Sequence, residues 1–236
     1  MNTYVQNRRY LLFSSVDSSR SAHDLWLKDD QRNFDVVLYV YRGDIDDRRV
    51  DFKKNRRGFK FENFYEFSRN ADVSRYDAVW IVDDDIRIST EDINALFELF
   101  ITYRLQIGQP AYSPGSFTPL ELCFADDRYH MRYSNFCENG VVLFSSHALQ
   151  KCLPVMQDIK TGWSSEYLFY KLIGSPERGV GIIDDVTCFH PCHESSLDQI
   201  IPRSLHSKEF NFLSAKYGYK IYVPRILGGI RKNGPN

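Results

Sequence analysis

The segment YDAVWIVDDDIRIS, residues 76–89, decides the fold because it joins a wholly apolar strand to a cluster of acids. Residues 78–82 (AVWIV) are apolar at every position, and Asp83, Asp84 and Asp85 follow at once. Continuous rather than alternating apolarity is typical of a strand in a parallel sheet that helices cover on both faces. We therefore predict a buried strand whose acidic end lies at an edge of the sheet.

Other apolar segments on both sides of this strand predict further strands. They span residues 10–16, 34–41, 140–144 and 180–183, and residues 187–189 continue the last one after a break at Asp184 and Asp185. Between them, residues 90–103 carry apolar side chains at helical spacing, and Ser89 and Asp92 form a capping-box pattern at the start. Shorter helices are predicted over residues 62–70, 145–152 and 164–173. This alternation of strands and helices favours a doubly wound α/β fold.

Length and composition fit one large domain. The chain has 236 residues, of which 43% are apolar and 26% charged, as in ordinary globular proteins. We predict a single domain over residues 1–227, followed by a flexible tail over residues 228–236 that is rich in glycine, proline and asparagine.

Charge and apolar patterning argue against several classes of partner. The 30 Lys and Arg nearly balance the 31 Asp and Glu, so no nucleic-acid partner is expected. No apolar run is long enough for a transmembrane segment, and the apolar run near the N-terminus is too short for a secretion signal. We therefore expect a cytoplasmic protein. The five cysteines are few and odd in number and are expected to be free thiols.

The acid cluster also predicts a metal site. Ligands of open α/β sheets bind beyond the carboxyl ends of the strands, which is where Asp83 and Asp85 are expected. Crowded carboxylates raise one another's pKa unless a cation lies between them, and oxygen ligands favour Mg²⁺ or Mn²⁺. The alternative is a solvated acidic turn that caps the following helix.

The Asp-x-Asp at residues 83–85, with an acid and a histidine further along, resembles the GT-A class of nucleotide-sugar glycosyltransferases. The strings GFKFENFYEF (residues 58–67), YDAVWIVDDDIRIS and TGWSSEYLFYKL (residues 161–172) more closely resemble a plant and bacterial family of uncharacterised GT-A-like proteins. The resemblance covers about residues 8–193. It implies a Rossmann-type, doubly wound mixed sheet flanked by helices in a single domain.

The resemblance also implies an activity. The enzyme would be a metal-dependent hexosyl- or pentosyltransferase, with Mn²⁺ or Mg²⁺ as cofactor. It would move a sugar from a nucleotide-diphosphate donor such as a UDP-sugar to a hydroxyl of a glycan or small molecule.

Position by position, the resemblance implies roles for individual residues. Asp85 would bind the metal, Asp83 would contact the metal or the ribose, and His190 would complete the metal shell. Glu166 would be the base that removes the acceptor's proton in an inverting reaction. Alternatively, His190 is a packed histidine without a metal, and Glu166 is a first-turn acid that complements the helix dipole.

Other candidate residues would meet the donor or the acceptor. The predicted nucleotide contacts are Ser14, Ser15, Asp17 and Asp84. The basic segment over residues 48–60 holds seven cations. Among them Lys60, supported by Asn63, is the predicted contact to the diphosphate. The alternative is that the segment is a solvated surface, as most runs of charge are. The predicted contacts to donor sugar or acceptor are Arg132, Asn135 and Glu138, and Trp163 packs either on a sugar or in the core.

Alternative functions remain open at this level. Asp83-x-Asp85 after an apolar strand also resembles the nucleophile motif of haloacid-dehalogenase-type phosphohydrolases, although Arg87 stands where that class has Thr or Val. The sequence lacks the glycine-rich signature that is expected of a sugar-phosphate nucleotidyltransferase. A non-catalytic nucleotide-sugar binding module would keep the fold. The cluster CFHPCH (residues 188–193) offers four zinc ligands, but at a compressed spacing.

Overall fold

The computed structural model describes residue 4 and residues 6–118, 120–192 and 203–232. The strands are β1 (Tyr10–Asp17), β2 (Phe34–Arg42), β3 (Phe52–Asn55), β4 (Ala78–Asp83), β5 (Ile107–Tyr112), β6 (Tyr129–Ser134), β7 (Val141–Ser145), β8 (Val180–Cys188) and β9 (Ile226–Arg231). The helices are α1 (His23–Trp26), α2 (Lys60–Ser68), α3 (Thr90–Thr102), α4 (Ser146–Met156), α5 (Ser165–Leu172) and α6 (Arg203–Tyr217). All nine strands form one mixed sheet in the order β3-β2-β1-β4-β7-β5-β8-β6-β9.

The side chains of the central strands alternate between two hydrophobic cores. Leu12 of β1 and Trp80 of β4 face the core that α3 covers, whereas Phe13 and Ile81 face the core that α2, α4 and α5 cover. All four side chains are fully buried. This double burial is the reason that β1 and β4 are apolar at every position, and it confirms the predicted α/β sheet with helices on both faces.

The predicted helix after the acid cluster is α3, and its start has the expected cap. The Ser89 hydroxyl accepts a hydrogen bond from the Asp92 backbone N–H at 3.1 Å and donates one to the Asp92 carboxylate at 2.7 Å. These bonds satisfy a backbone donor that the first turn of a helix would otherwise leave unpaired. The chain therefore turns from β4 into α3 over a short loop that carries Asp84 and Asp85.

The second half of the sheet is mixed in direction. β7 pairs antiparallel with β4 and β5, while β5 and β8 are parallel. β8 continues through the predicted break, but its register against β5 shifts there, because Pro110 pairs with Ile183 and Ala111 with Thr187. Asp184 and Asp185 thus lie in an irregularity of one strand rather than between two strands.

β5 has no counterpart among the predicted strands because its sequence carries residues that are unusual in a central strand. Gly108 and Pro110 both lie within it. A Cβ at Gly108 would lie 2.9 Å from the Phe100 ring, so the close packing of α3 on β5 requires glycine. Local propensity does not contain this packing requirement.

The end of the chain differs from the predicted tail. Residues 228–231 belong to β9, which pairs antiparallel with β6 at the edge of the sheet. The expected loose tail is therefore wrong for these residues, and residues 233–236 lie outside the described part. No helix in that described part has the length and apolarity needed to cross a bilayer.

A buried ion pair fastens β6 to the irregularity in β8. The Arg132 guanidinium donates to the Asp184 carboxylate at 2.7 and 2.9 Å and to the carbonyls of Leu122 and Phe124. The two side chains are 6% and 0% exposed. Arg132 is therefore used within the fold, which corrects its prediction as a contact to sugar.

We expect Arg132→Met to lower the free energy of unfolding by about 3–5 kcal/mol, because Asp184 would remain as a buried carboxylate without its partner. Arg128→Met is the matched control, since the Arg128 side chain is exposed and loss of its pair with the half-buried Asp126 should leave stability almost unchanged. Urea unfolding of the two variants measures the difference. Equal losses of stability would contradict the structural role of Arg132.

Candidate functional site

The candidate residues gather at one edge of the sheet. The parallel strands β1 and β4 end there, β8 ends nearby, and the antiparallel strand β7 begins there. The amino ends of α2 and α5 bring Lys60 and Glu166 to the same region, as the charge interactions of Glu166 with Lys60 and Glu138 indicate. This edge is where open α/β sheets bind ligands.

His190 and Asp85 face each other across a backbone bridge. Arg87 and Phe189 exchange two backbone hydrogen bonds of 2.8 and 2.9 Å, which fasten the loop after β4 to the end of β8. The His190 Nδ1 lies 2.8 Å from the Phe117 carbonyl oxygen, and its Nε2 lies 3.6 Å from Asp85 Oδ1. Because a carbonyl only accepts, Nδ1 carries the proton and Nε2 offers a lone pair towards Asp85 in the neutral ring.

This pair has the chemistry of two ligands to one divalent cation. Two ligands of an ion such as Mg²⁺ lie at most about 4.2 Å apart, and the 3.6 Å between Asp85 and His190 is within that limit. An imidazole whose other nitrogen donates to a carbonyl is the usual form of a histidine ligand. Asp85 and His190 therefore fit the metal that the fold family implies.

Asp83 has a different partner. The Lys60 ammonium donates to Asp83 Oδ1 at 2.6 Å and to the Asn139 carbonyl at 2.5 Å. The Lys60 ammonium is thus paired with an acid, a partner that the predicted diphosphate contact did not include. It joins the start of α2 to the end of β4 and the start of β7.

The three predicted ligands do not converge on one point as they stand. Within the ranges that the structure describes, the group with three potential ligand atoms inside 4.8 Å is His23, Asp24 and Asp47 instead. There, Arg49 donates to Asp24 at 2.5 Å and to Asp47 at 2.6 Å, so the acids already have a cation. We read this second group as an ion-pair cluster.

Asp84 is part of the frame rather than a nucleotide contact. Its carboxylate accepts from the Asp17 backbone N–H at 2.7 Å and from the Tyr41 hydroxyl at 3.4 Å, and the residue is 8% exposed. Burial raises the pKa of Asp84 to about 7, and the neighbouring acids Asp83 and Asp85 add to the rise. Asp84 therefore joins the ends of β1 and β4, which corrects its assignment to the donor.

The predicted nucleotide contacts of the first strand differ in their hydrogen-bond partners. Ser14 is fully buried and donates to the Val82 carbonyl at 2.8 Å, so it has a structural role. Ser15 accepts from the Asn63 side chain at 2.9 Å. Asp17 is 3% exposed, and although burial opposes the change, hydrogen bonds from Ser19 hold its pKa below the usual range. Ser15 and Asp17 stay predicted nucleotide contacts.

Glu138 lies closer to the acid cluster than its sequence position suggests. A Cβ on Gly140 would lie 3.0 Å from Asp83 Oδ2, 3.5 Å from the Tyr112 hydroxyl and 3.8 Å from Glu138 Oε1, so the glycine leaves a small polar space. Burial raises the pKa of Glu138 to about 7, with His190 opposing the rise and Asp83 adding to it. No pattern in the sequence predicts that Tyr112 and Gly140 lie close together, because their approach depends on the pairing of β4, β7 and β5.

Asn135 has a structural role instead of the predicted sugar contact. Its side-chain oxygen accepts from the Arg225 backbone N–H at 2.7 Å, and its amide nitrogen donates to the Val223 carbonyl at 3.2 Å. These bonds fix the segment that leads into β9.

Glu166 lies in the first turn of α5, where its carboxyl group is poorly solvated. Its Oε2 is buried and makes no hydrogen bond among the described residues. Burial raises the pKa of Glu166 to about 8, while its own backbone N–H opposes the rise; nearby Glu138 adds to it and Lys60 opposes it. A carboxyl group with such a pKa holds its proton at neutral pH and is available as a general base once the pH approaches about 8.

The loop before Glu166 is held from three sides. The buried Glu209 carboxylate of α6 accepts backbone N–H bonds from residues 160, 161 and 162 at 3.2, 2.7 and 3.3 Å. Asn139 donates to the Gly162 carbonyl and the Ser165 hydroxyl at 2.5 and 2.7 Å. Ser164 has a φ of 72° and is bonded to the Tyr219 hydroxyl. Since such a φ costs a non-glycine residue free energy, the surrounding bonds must impose it.

The structure also shows the exposure of Trp163 and of the cysteines in the segment CFHPCH. The Trp163 side chain is 46% exposed and stacks on His206 at 6.1 Å, so it is not a core residue. Cys188 is buried and Cys192 is exposed, and both are free thiols. His193 lies outside the described residues, and the described members of that cluster form no group of three ligands.

Most of the basic segment is neutralised within the structure. Lys53 pairs with Asp44, Lys54 with Glu66 and Arg56 with Glu62; Arg49 and Lys60 are paired as described above. The acids come from both sides of the segment in the sequence. The seven cations are therefore not a free basic patch.

Comparisons with known proteins show the fold. No protein-family model matches the chain, and no curated protein matches it. Staphylococcus aureus TarS residues 1–349 in complex with UDP-GlcNAc aligns with a TM-score of 0.59 and 10% identity, over 88% of this chain and 66% of that one. GalNAc-T7 with UDP, GalNAc and Mn²⁺ aligns with a TM-score of 0.58 and 10% identity, over 79% of this chain and 43% of that one.

These matches establish a GT-A-like fold in a single domain. The chain spans less than two thirds of the length of either match. The resemblance to the plant and bacterial family stays a prediction, since no family model matches.

We expect Glu209→Ala to loosen the loop that carries Glu166. Loss of a carboxylate that accepts three backbone donors should speed amide hydrogen exchange at residues 160–162 by about tenfold or more. Lys208→Ala, at an exposed neighbouring position of α6, is the control. Unchanged exchange in Glu209→Ala would contradict the positioning role, and exchange in β4 should be unaffected in both variants.

Proposed function

We propose that this chain is a metal-dependent glycosyltransferase that moves a sugar from a nucleotide-diphosphate donor, with UDP as the expected nucleotide, to a hydroxyl acceptor. The observation that carries the proposal is the facing pair of Asp85 and His190 at the ligand-binding edge of a GT-A-like sheet. The UDP-GlcNAc of TarS and the UDP, GalNAc and Mn²⁺ of GalNAc-T7 support the choice of donor and metal.

The donor would lie along the ends of β1 and β4. Ser15 and Asp17 would contact the nucleoside, and Asp83, which lies opposite Ser15 in the register of β1 and β4, would lie between the nucleoside and the sugar. A divalent ion held by Asp85 and His190 would supply positive charge for the leaving diphosphate. The polar space beside Gly140, bordered by Asp83 and Glu138, would receive hydroxyl groups of the donor sugar.

The acceptor would approach from the side of α5. The Glu166 carboxylate would take the proton of the attacking hydroxyl. The exposed ring of Trp163, three residues earlier, offers an apolar face of the kind on which sugars pack. In a retaining reaction Glu166 would only bind the acceptor.

We expect Asp85→Asn to abolish the metal dependence of UDP binding. Wild-type protein should bind UDP at least about tenfold more tightly with Mn²⁺ than with EDTA, because the ion neutralises the diphosphate. Isothermal titration calorimetry with both conditions measures the ratio. Asp127→Asn removes an equal charge from an exposed site and should leave the ratio unchanged.

Three results would each contradict this proposal. Metal-dependent UDP binding that survives in both Asp85→Asn and His190→Ala would remove the proposed site. Trapping of an aspartyl-phosphate analogue by beryllofluoride at Asp83 would identify a phosphohydrolase instead. Binding of UDP-sugars without transfer or donor hydrolysis, across a broad donor panel, would identify a binding module.

We expect transfer to depend on the ionisation of Glu166. Because a base must be deprotonated and the pKa of Glu166 is raised to about 8, kcat/KM should rise with pH until about 8 and then level. A pH profile of kcat/KM measures this for the free enzyme. Glu166→Gln should lose most of the activity and the dependence together, and a profile that is flat between about pH 6 and 9 would exclude Glu166 as the base.

The same ionisation should appear in stability. A buried acid whose folded-state pKa lies above its unfolded value binds its proton more tightly in the folded state. Wild-type stability relative to Glu166→Gln should therefore fall as the pH rises from about 4.5 to 8. Urea unfolding at several pH values checks this without any substrate.

A further inference from the structure

Lys60 is held inside the site by contacts from separate parts of the chain. Its ammonium lies 2.6 Å from Asp83 Oδ1 and 2.5 Å from the Asn139 carbonyl, and its side chain is 15% exposed. Asn139 is itself bonded to Gly162 and Ser165, so the carbonyl that Lys60 meets is fixed. The adjacent Phe61 packs edge-on against Phe169 of α5, which fixes the start of α2.

The other paired cations of the basic segment differ from Lys60. Lys54, for example, pairs with Glu66 on the surface of α2 and is 43% exposed. Lys60 instead reaches the first acid of the triple at the edge of the sheet, two residues from Asp85. The Lys60 charge is therefore paired with the acid that stands two residues before Asp85, the proposed metal ligand, in the same turn after β4.

We propose that Lys60 is a resident counter-ion that withholds Asp83 from the metal and weakens metal binding until a diphosphate is present. The inference rests on the metal site of the proposed function. Asp83 Oδ1 is satisfied by the ammonium, so Asp85 and His190 are the protein ligands of the ion. The ammonium and a divalent ion repel each other, and in a partly buried site that repulsion is only weakly screened.

A diphosphate relieves this repulsion. Its negative charges lie between the two cations, and the third N–H of the Lys60 ammonium is available to donate to a phosphate oxygen. Metal and nucleotide diphosphate then bind cooperatively, and the coupling is reciprocal. Lys60 therefore makes the site bind the ion with its donor rather than the ion alone.

The experiment measures Mn²⁺ binding without any turnover. Free Mn²⁺ is followed by electron paramagnetic resonance during titration of wild-type protein, Lys60→Met and Lys54→Met, with and without UDP. Lys60→Met should bind Mn²⁺ alone at least about tenfold more tightly than wild type, because a repelling charge is removed and Asp83 is released. The gain in the presence of UDP should be smaller.

Lys54→Met is the matched control, since it removes the same charge from the same segment but outside the site. It should change Mn²⁺ affinity by less than about twofold, given screening at the surface. Lys60→Gln keeps a donor for the Asn139 carbonyl without the charge and should reproduce the gain if Lys60→Met folds poorly. The double variant Lys60→Met with Asp83→Asn should return close to wild-type affinity.

The outcomes separate the two proposals. If wild-type protein binds Mn²⁺ and both Lys60 variants bind it with the same or a lower affinity, the role of Lys60 is overturned and the proposed function is left intact. A gain in Lys60→Met with no UDP binding by any variant supports the counter-ion role and contradicts the proposed function. Absence of Mn²⁺ binding in every variant, with and without UDP, overturns both.

Discussion

The crowding of carboxyl groups at the end of β4 is the constraint on which this structure depends. The fold gives each acid a different environment. Asp83 has the Lys60 ammonium, Asp84 has a backbone N–H and a raised pKa, and Asp85 faces a histidine nitrogen. These different environments matter because three adjacent carboxylates in the same environment could not all be ionised without a large electrostatic cost. In the proposed function, Asp85 is the acid that would meet an external cation.

The frame behind this edge comes from strand direction. β7 runs antiparallel to β4, so it begins where β4 ends, and residues 138–140 arrive beside Asp83. Asn139 then bonds to the loop before α5, and α6 holds that same loop through the carboxylate of Glu209. A change in α6, distant from the acids in the sequence, therefore acts on the position of Glu166.

The partners of the basic segment, residues 48–60, depend on the tertiary structure. A net charge of -1 and seven cations in thirteen positions suggested a basic patch that could hold phosphates. In the structure these cations mostly meet acids from the loop between β2 and β3 and from α2, and Lys60 alone among those pairs reaches the acid triple. An anionic donor would therefore meet a nearly neutral rim and a few charges at the centre of the site.

The sequence by itself determined strands β1 and β4, the helix after the acid cluster and the edge of the sheet at which the acids lie. It could do so because β1 and β4 are buried on both faces and because the Ser89 cap is local. Only the tertiary structure decided the rest. Pairing distant in the sequence brought Gly140 to Asp83, gave Lys60 an acid as its partner and used Arg132 inside the fold. Such contacts depend on which strands lie side by side, and local patterns of residues do not contain that information.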